Sequence, residues 1–149
     1  MMISTRGRYA LRVMLDLAQH AADGYIPLKE IAHRQDISEK YLEIVLKVLV
    51  RNNLLAGLRG KGGGYRLTRE PGQYTLGEIL RLTEGSLAPV ACADEGNTEC
   101  PRRESCPSRP VWQKLDTLIN EYLDGITLED LMLRRGFFKC SPKPSIDRE

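Results

Sequence analysis

Four glycines in five positions, Gly60-Lys61-Gly62-Gly63-Gly64, stand between two short runs, Leu54-Leu55-Ala56-Gly57-Leu58-Arg59 and Tyr65-Arg66-Leu67. Such a segment cannot continue a helix, because glycine opens positive φ and loses the most conformational freedom on ordering. The flanking runs are too short for helices and read as two strands joined by a tight turn. A nucleotide phosphate loop is the rival reading of these glycines. It is disfavoured, because no Gly-Lys-Ser/Thr ending follows and no helix opens directly after them. The chain must therefore carry a small hairpin, made basic by Arg59, Lys61 and Arg66.

Everything before the hairpin has a helical pattern. Tyr9, Ala10, Val13, Met14, Leu17 and Ala18 recur at helical spacing and predict a helix from Tyr9 to Gln19, which Gly24 and Pro27 then punctuate. A short helix fits Leu28 to Gln35. Asp36-Ile37-Ser38 turns the chain and offers Ser38 as the cap of a third helix, about Glu39 to Asn52. At about 100° per residue this third helix has two faces. Leu42, Val45, Leu46 and Leu49 gather on one; Lys40, Glu43, Lys47 and Arg51 gather opposite, with only Ile44 intruding. Helix, helix, two-faced helix and basic hairpin together form the order of a winged helix-turn-helix, in which the third helix enters a DNA groove. The fold class expected is mainly α with a small β-wing, extended by a long dimerisation helix.

Charge agrees with this reading. Residues 1–69 hold 12 lysines and arginines against 6 acids, a balance of +6, whereas residues 70–149 hold 10 against 14, a balance of −4. A basic N-terminal half is the footprint of a surface that meets phosphate, although a merely solvated face would carry the same charge. Lys40 and Lys47 can reach phosphates or base edges, and Arg59, Gly60 and Lys61 lie where a wing touches the backbone or the minor groove. Glu43 would repel phosphate. It is better explained as a specificity element, accepting from a cytosine amino group, unless it only pairs with Lys40 or Lys47 along its own helix.

Downstream, Thr75 with Glu78 matches a capping box and opens a helix to about Glu84. Residues 85–110 have no periodicity and contain Cys92, Cys100 and Cys106; a fourth cysteine, Cys140, lies near the end. No apolar run long enough to span a membrane is present, nor a secretory signal, so the expected location is cytoplasmic with no membrane partner. In a reducing cytosol three thiols so close together read as metal ligands or redox groups before they read as disulfides. After them Val111, Leu115, Leu118 and Tyr122 form an apolar stripe that Trp112 and Ile119 widen, which suggests a partner helix. Thr127-Leu128-Glu129-Asp130 caps a last helix, and a polar tail follows. With 149 residues, 42% of them hydrophobic, one core is affordable. The expected divisions are 1–84 winged helix-turn-helix, 85–110 cysteine loop, 111–135 dimerisation helices and 136–149 disordered tail.

Thr5-Arg6-Gly7-Arg8-Tyr9-Ala10, Asp36-Ile37-Ser38 with Tyr41-Leu42-Glu43, the wing Arg59-Gly60-Lys61-Gly62-Gly63-Gly64-Tyr65, and Trp112 with Ile126-Thr127-Leu128 resemble the Rrf2 family of winged-helix regulators. The likeness runs over about residues 1–133 and is greatest to the branch that governs iron-sulfur cluster supply. It implies a homodimer on a palindromic double-stranded DNA operator, probed by Ser38, Lys40, Tyr41, Glu43, Lys47, Arg59, Gly60 and Lys61. It also implies that Cys92, Cys100 and Cys106 hold an iron-sulfur cluster, 2Fe-2S ahead of 4Fe-4S, that senses iron-sulfur status, redox state or nitric oxide. Thiolates are the ligands such clusters prefer, and a loop containing Gly96 can fold around one. Structural zinc and reduced thiols without metal, as in a regulator of cysteine metabolism, remain alternatives.

One position departs from that branch. Where its members carry a histidine three residues after the third cysteine, this chain has Arg109, which stays protonated and offers no lone pair. Arg8 likewise occupies the place where the nitric-oxide-sensing branch has an acidic ligand. Glu95, Glu99, Glu104, His20, His33 and Cys140 are then the candidates for a fourth ligand. No nucleophile-base pair or acid-base constellation is present, so no enzyme is expected.

Overall fold

The computed structural model describes residues 2–97 and 99–134. The expected tail and Cys140 lie outside them. Six α-helices and one hairpin follow in the order α1 (Thr5–Gln19), α2 (Leu28–Gln35), α3 (Glu39–Arg51), β1 (Leu55–Leu58), β2 (Gly64–Leu67), α4 (Leu76–Glu84), α5 (Arg109–Asp124) and α6 (Leu128–Met132). The mainly α class with a two-stranded wing is the one expected.

Helix α1 starts four residues before the periodic stretch. Ser4 accepts the Gly7 N–H as N-cap and donates its own hydroxyl to Glu84 at 2.6 Å, so the start of α1 is set by α4 as well as by its own cap. Helix α2 ends at Asp36, whose φ of 51° places it in the left-handed region and turns the chain toward α3. Ser38 caps α3 by accepting the Tyr41 N–H at 3.3 Å.

The core lies where the apolar faces of α1, α2 and α3 meet. Ala10, Val13 and Met14 of α1, Ile31 of α2, and Leu42, Val45, Leu46 and Leu49 of α3 are all fully buried. Each large side chain so buried contributes about 1.5–3 kcal/mol of transfer free energy, which fixes the orientation of α3 about its own axis. The opposite face of α3 must then point to solvent.

The hairpin is antiparallel with Leu55 opposite Leu67 and Leu58 opposite Gly64. Beyond its two strands, Ile26 and Tyr65 exchange both backbone hydrogen bonds at 2.9 Å, so the segment before α2 acts as a third rung. Gly64 makes that approach possible: at φ 152° it lies against the Ile26 carbonyl, where a Cβ would collide with backbone.

Two details differ from the sequence-based expectations. Thr75 caps α4 by accepting the Glu78 N–H, but the Glu78 carboxylate does not return to close a box; it pairs with Arg69 at 2.7 Å. The full capping box belongs to α6, where Thr127 and Asp130 bond reciprocally. Helix α6 also turns back to the winged core: Leu128 is fully buried there, and its N–H donates to the Tyr74 carbonyl at 3.1 Å. Within the expected dimerisation segment, α6 is thus engaged by its own chain and only α5 presents a free apolar stripe.

Candidate DNA interface and cysteine loop

On α3, Lys40, Glu43, Ile44, Lys47 and Arg51 are exposed on the side away from the core. Among the described residues no ion pair engages Lys40, Glu43, Lys47, Arg59 or Lys61. Glu43 thus makes no ion pair with Lys40 or Lys47 in this arrangement. Between α3 and the hairpin runs an open groove of about 510 Å³, lined by Glu43, Lys47, Arg51, Leu58, Arg59 and Tyr65. Helix and wing thus border one concave, mainly cationic surface. Gly60 and Lys61 sit at the exposed wing tip, Gly60 at φ 91°. Ser38 is exposed at the start of α3, whereas Tyr41 is half-buried with its ring edge-on to Tyr9, centroids 5.6 Å apart. Ser38, Lys40, Glu43, Lys47, Arg59, Gly60 and Lys61 all lie on the exposed helix and wing; Tyr41 faces α1.

Two buried polar groups hold this surface in shape, and the sequence reading missed both. Tyr74 is fully buried, and its hydroxyl accepts the Thr68 and Arg69 N–H groups at 2.9 and 2.8 Å and donates to the Leu54 carbonyl at 2.9 Å. One oxygen thereby ties the end of β2 to the start of β1 at the root of the wing. The Arg69 guanidinium lies over the same ring, 4.3 Å from its centroid. Asp16 is the second: buried in α1, it receives Arg34 Nε and Nη2 of α2 at 2.9 and 2.8 Å and the Gln35 amide at 3.0 Å. Burial pushes its carboxyl up, but the bonds from Arg34 and Gln35 outweigh burial and hold it below the ordinary value. Asp16 follows Val13 at i+3 inside an apolar face, a signal that a partner must exist; the sequence does not say which.

Cys92 is half-buried in a short 3₁₀ turn (Ala91–Ala93), Cys100 is exposed, and Cys106 is half-buried just ahead of α5; all three are free thiols. The Cys106 sulfur lies 3.3 Å from the Ser108 hydroxyl. That hydroxyl, then the Ser108 and Arg109 backbone N–H groups at the start of α5 and the nearby charge of Arg102, hold the Cys106 thiol below its ordinary value. Arg109 donates to the Arg103 carbonyl at 3.3 Å, and its Nε is the one buried side-chain polar atom among the described residues with no hydrogen-bond partner. In kind, three free thiols, one biased toward thiolate, fit an iron-sulfur cluster. In arrangement they are not yet gathered: among the described residues no three His, Cys, Asp or Glu side chains surround one point closely enough for a metal ion.

Helix α5 is fastened to α4 by Arg81, which donates to Asn120 at 2.8 Å and to Asp124. Its outer stripe of Val111, Leu115, Leu118 and Tyr122 is 39–59% exposed. No helix among the described residues is long and apolar enough to cross a membrane.

Comparison with known proteins agrees with this architecture. Residues 3–134 match the Rrf2 family, described as iron-dependent transcriptional regulators. The HTH-type transcriptional regulator IscR of Aliivibrio salmonicida is 36% identical over 147 residues, covering 99% of this chain and 86% of that protein. Among solved structures, CymR, the global cysteine regulator of B. subtilis, superposes with a TM-score of 0.74 at 36% identity, covering 91% of this chain and 99% of that one. T. potens IscR superposes with a TM-score of 0.72 at 38% identity over 91% of this chain and 89% of that one. The family match over residues 3–134 and a relative 36% identical over 147 residues lead to one conclusion: the chain belongs to the Rrf2 family of transcriptional regulators.

Proposed function

We propose that this regulator binds a palindromic operator as a homodimer and that an iron-sulfur cluster on Cys92, Cys100 and Cys106 modulates its affinity. The observation that carries the reading is one segment with two ends: the cysteine loop joins α4, which packs on the DNA-binding core, to α5, whose apolar stripe is exposed. A change in the loop therefore acts on the spacing of the two DNA-binding halves of a dimer.

The chain's residues divide the work. Lys40 and Lys47 on α3, with Arg59 and Lys61 on the wing, bind phosphate or base edges, and Glu43 discriminates among bases. Ser38 and Gly60 bring backbone close to DNA, while Tyr41 braces α3 against α1. The three thiolates are the ligands; Arg109 cannot be one, because its guanidinium stays protonated and offers no lone pair. A bound cluster supplies redox sensitivity, and 2Fe-2S is preferred over 4Fe-4S. The fourth ligand comes from a group other than Arg109. The likeness to IscR of T. potens and Aliivibrio salmonicida supports this reading.

A second reading has its own observation. The three thiols stand apart, and CymR shares the fold, so reduced thiols or zinc could serve a regulator of cysteine metabolism. One experiment separates them: anaerobic purification, visible absorption with iron and sulfide analysis, and DNA binding before and after removal of metal. Brown protein whose colour is lost on replacing any of the three cysteines with alanine, and kept in Arg109→Ala, supports the cluster. Colourless protein that binds DNA equally well refutes it.

A further inference from the structure

We infer that Ile44 reads the 5-methyl group of a thymine in the major groove, and so sets an apolar position within the operator. The inference rests on the reading that α3 enters that groove.

Ile44 is 49% exposed on the helix whose other face makes the core. At about 100° per residue it falls about 40° from Lys40 and about 60° from Lys47, and the core residues Leu42, Val45, Leu46 and Leu49 centre on the opposite pole. It therefore stands at the edge of the cationic stripe, with Arg51, Lys40 and Lys47 on one side and half-buried Val48 and Tyr41 on the other. Single apolar residues on a protein surface are ordinary and by themselves carry no message. This one is exposed where the apolar rim of α3 meets the charged stripe that borders the groove. A β-branched side chain there also gives up some helix propensity relative to the lysines and glutamates around it.

The chemistry of the groove selects the partner. Guanine, adenine and cytosine present polar atoms in the major groove, and a buried isoleucine against them would strand their donors or acceptors. Thymine alone presents a methyl group beside its O4 acceptor. Ile44 has no hydrogen-bonding atom, so a thymine methyl is the group it can cover without leaving a polar atom unmet. Lys40 and Lys47, about one turn before and after it along the helix, hold the DNA backbone in register for that contact, and Glu43 remains free for a cytosine amino group. Each half of a symmetric operator then carries one thymine whose methyl matters.

The test begins with the full-length protein and a random duplex library, from which bound sequences are enriched. In the enriched duplex each thymine is replaced in turn by deoxyuridine, which keeps pairing and removes only the methyl. For the native protein, one position per half-site is expected to lose about fourfold in affinity, the value of one buried methyl-sized group. Ile44→Ala keeps the helix, since alanine is the best helix former, and is expected to be indifferent to deoxyuridine at that position. Ile44→Gln should shift enrichment there from thymine to adenine. If native protein and Ile44→Ala respond alike at every thymine, the inference is overturned while the DNA-binding reading stands. If no duplex is enriched at all, that reading fails and the inference with it.

Discussion

Replacing Tyr74 with phenylalanine removes one oxygen from a fully buried ring and keeps its packing. That oxygen holds three backbone groups at 2.8–2.9 Å. The Leu54 carbonyl is not left bare, because the Thr68 N–H at 3.4 Å still donates to it. The Arg69 N–H loses the bond that satisfied it. One net hydrogen bond is worth about 1 kcal/mol, and a stranded N–H costs a further 1–3 kcal/mol, at the low end here because exposed Thr68 lets water approach. We expect Tyr74→Phe to destabilise the protein by about 2 kcal/mol, equivalent to about 4–8 °C in a chain of this length. Urea denaturation followed by far-ultraviolet circular dichroism is the assay, at fixed protomer concentration because a dimer's stability depends on it. The midpoint should fall with the slope unchanged. A loss below about 0.5 kcal/mol would mean that water replaces the hydroxyl fully, and the proposed anchor of the wing would be wrong.

Leu115→Asp with Leu118→Asp should give a folded monomer in sedimentation, since two carboxylates cannot be buried in an apolar interface; a double variant still dimeric at micromolar concentration would remove α5 from the interface. Asp16 is held below its ordinary value in the folded state, so its stabilising contribution is complete above the unfolded carboxyl value near 4 and disappears as pH falls through the lower folded value. Thermal melts from pH 5 to pH 2.5 should therefore show a flatter acid limb in Asp16→Asn than in the native protein, and equal slopes would exclude Asp16 as its source. Ser108→Ala should move the pH at which iodoacetamide alkylates Cys106 upward, followed by mass spectrometry on reduced, metal-free protein; an unchanged profile would show that the hydroxyl does not hold the thiol down.

Period and punctuation were enough to read most of the DNA-binding surface from the amino-acid sequence. The burial of Leu42, Val45, Leu46 and Leu49 follows from their recurrence on one side of α3, and the exposure of Lys40, Glu43 and Lys47 follows from it in turn. Ser38 as a cap, the glycine turn of the wing and the apolar stripe of α5 are likewise local properties, decided within about one turn of helix or one hairpin. What lay beyond reach was the choice among distant partners. Glu78 could have closed its own cap, yet Arg69 takes it; α6 could have extended the α5 stripe, yet Leu128 fills the core between α1 and Tyr74. Asp16 could be read as needing a cation, but not as needing Arg34, and Tyr74 gave no sign that its hydroxyl would gather backbone groups from both ends of the wing. Three cysteines in one loop announce soft ligands, but their separation around the start of α5 is a property of the folded loop alone. The physical reason is the same throughout: periodicity encodes which face of an element is apolar, whereas a hydrogen bond is directional and short, so its partner is settled only when the chain's path brings two groups within about 3 Å.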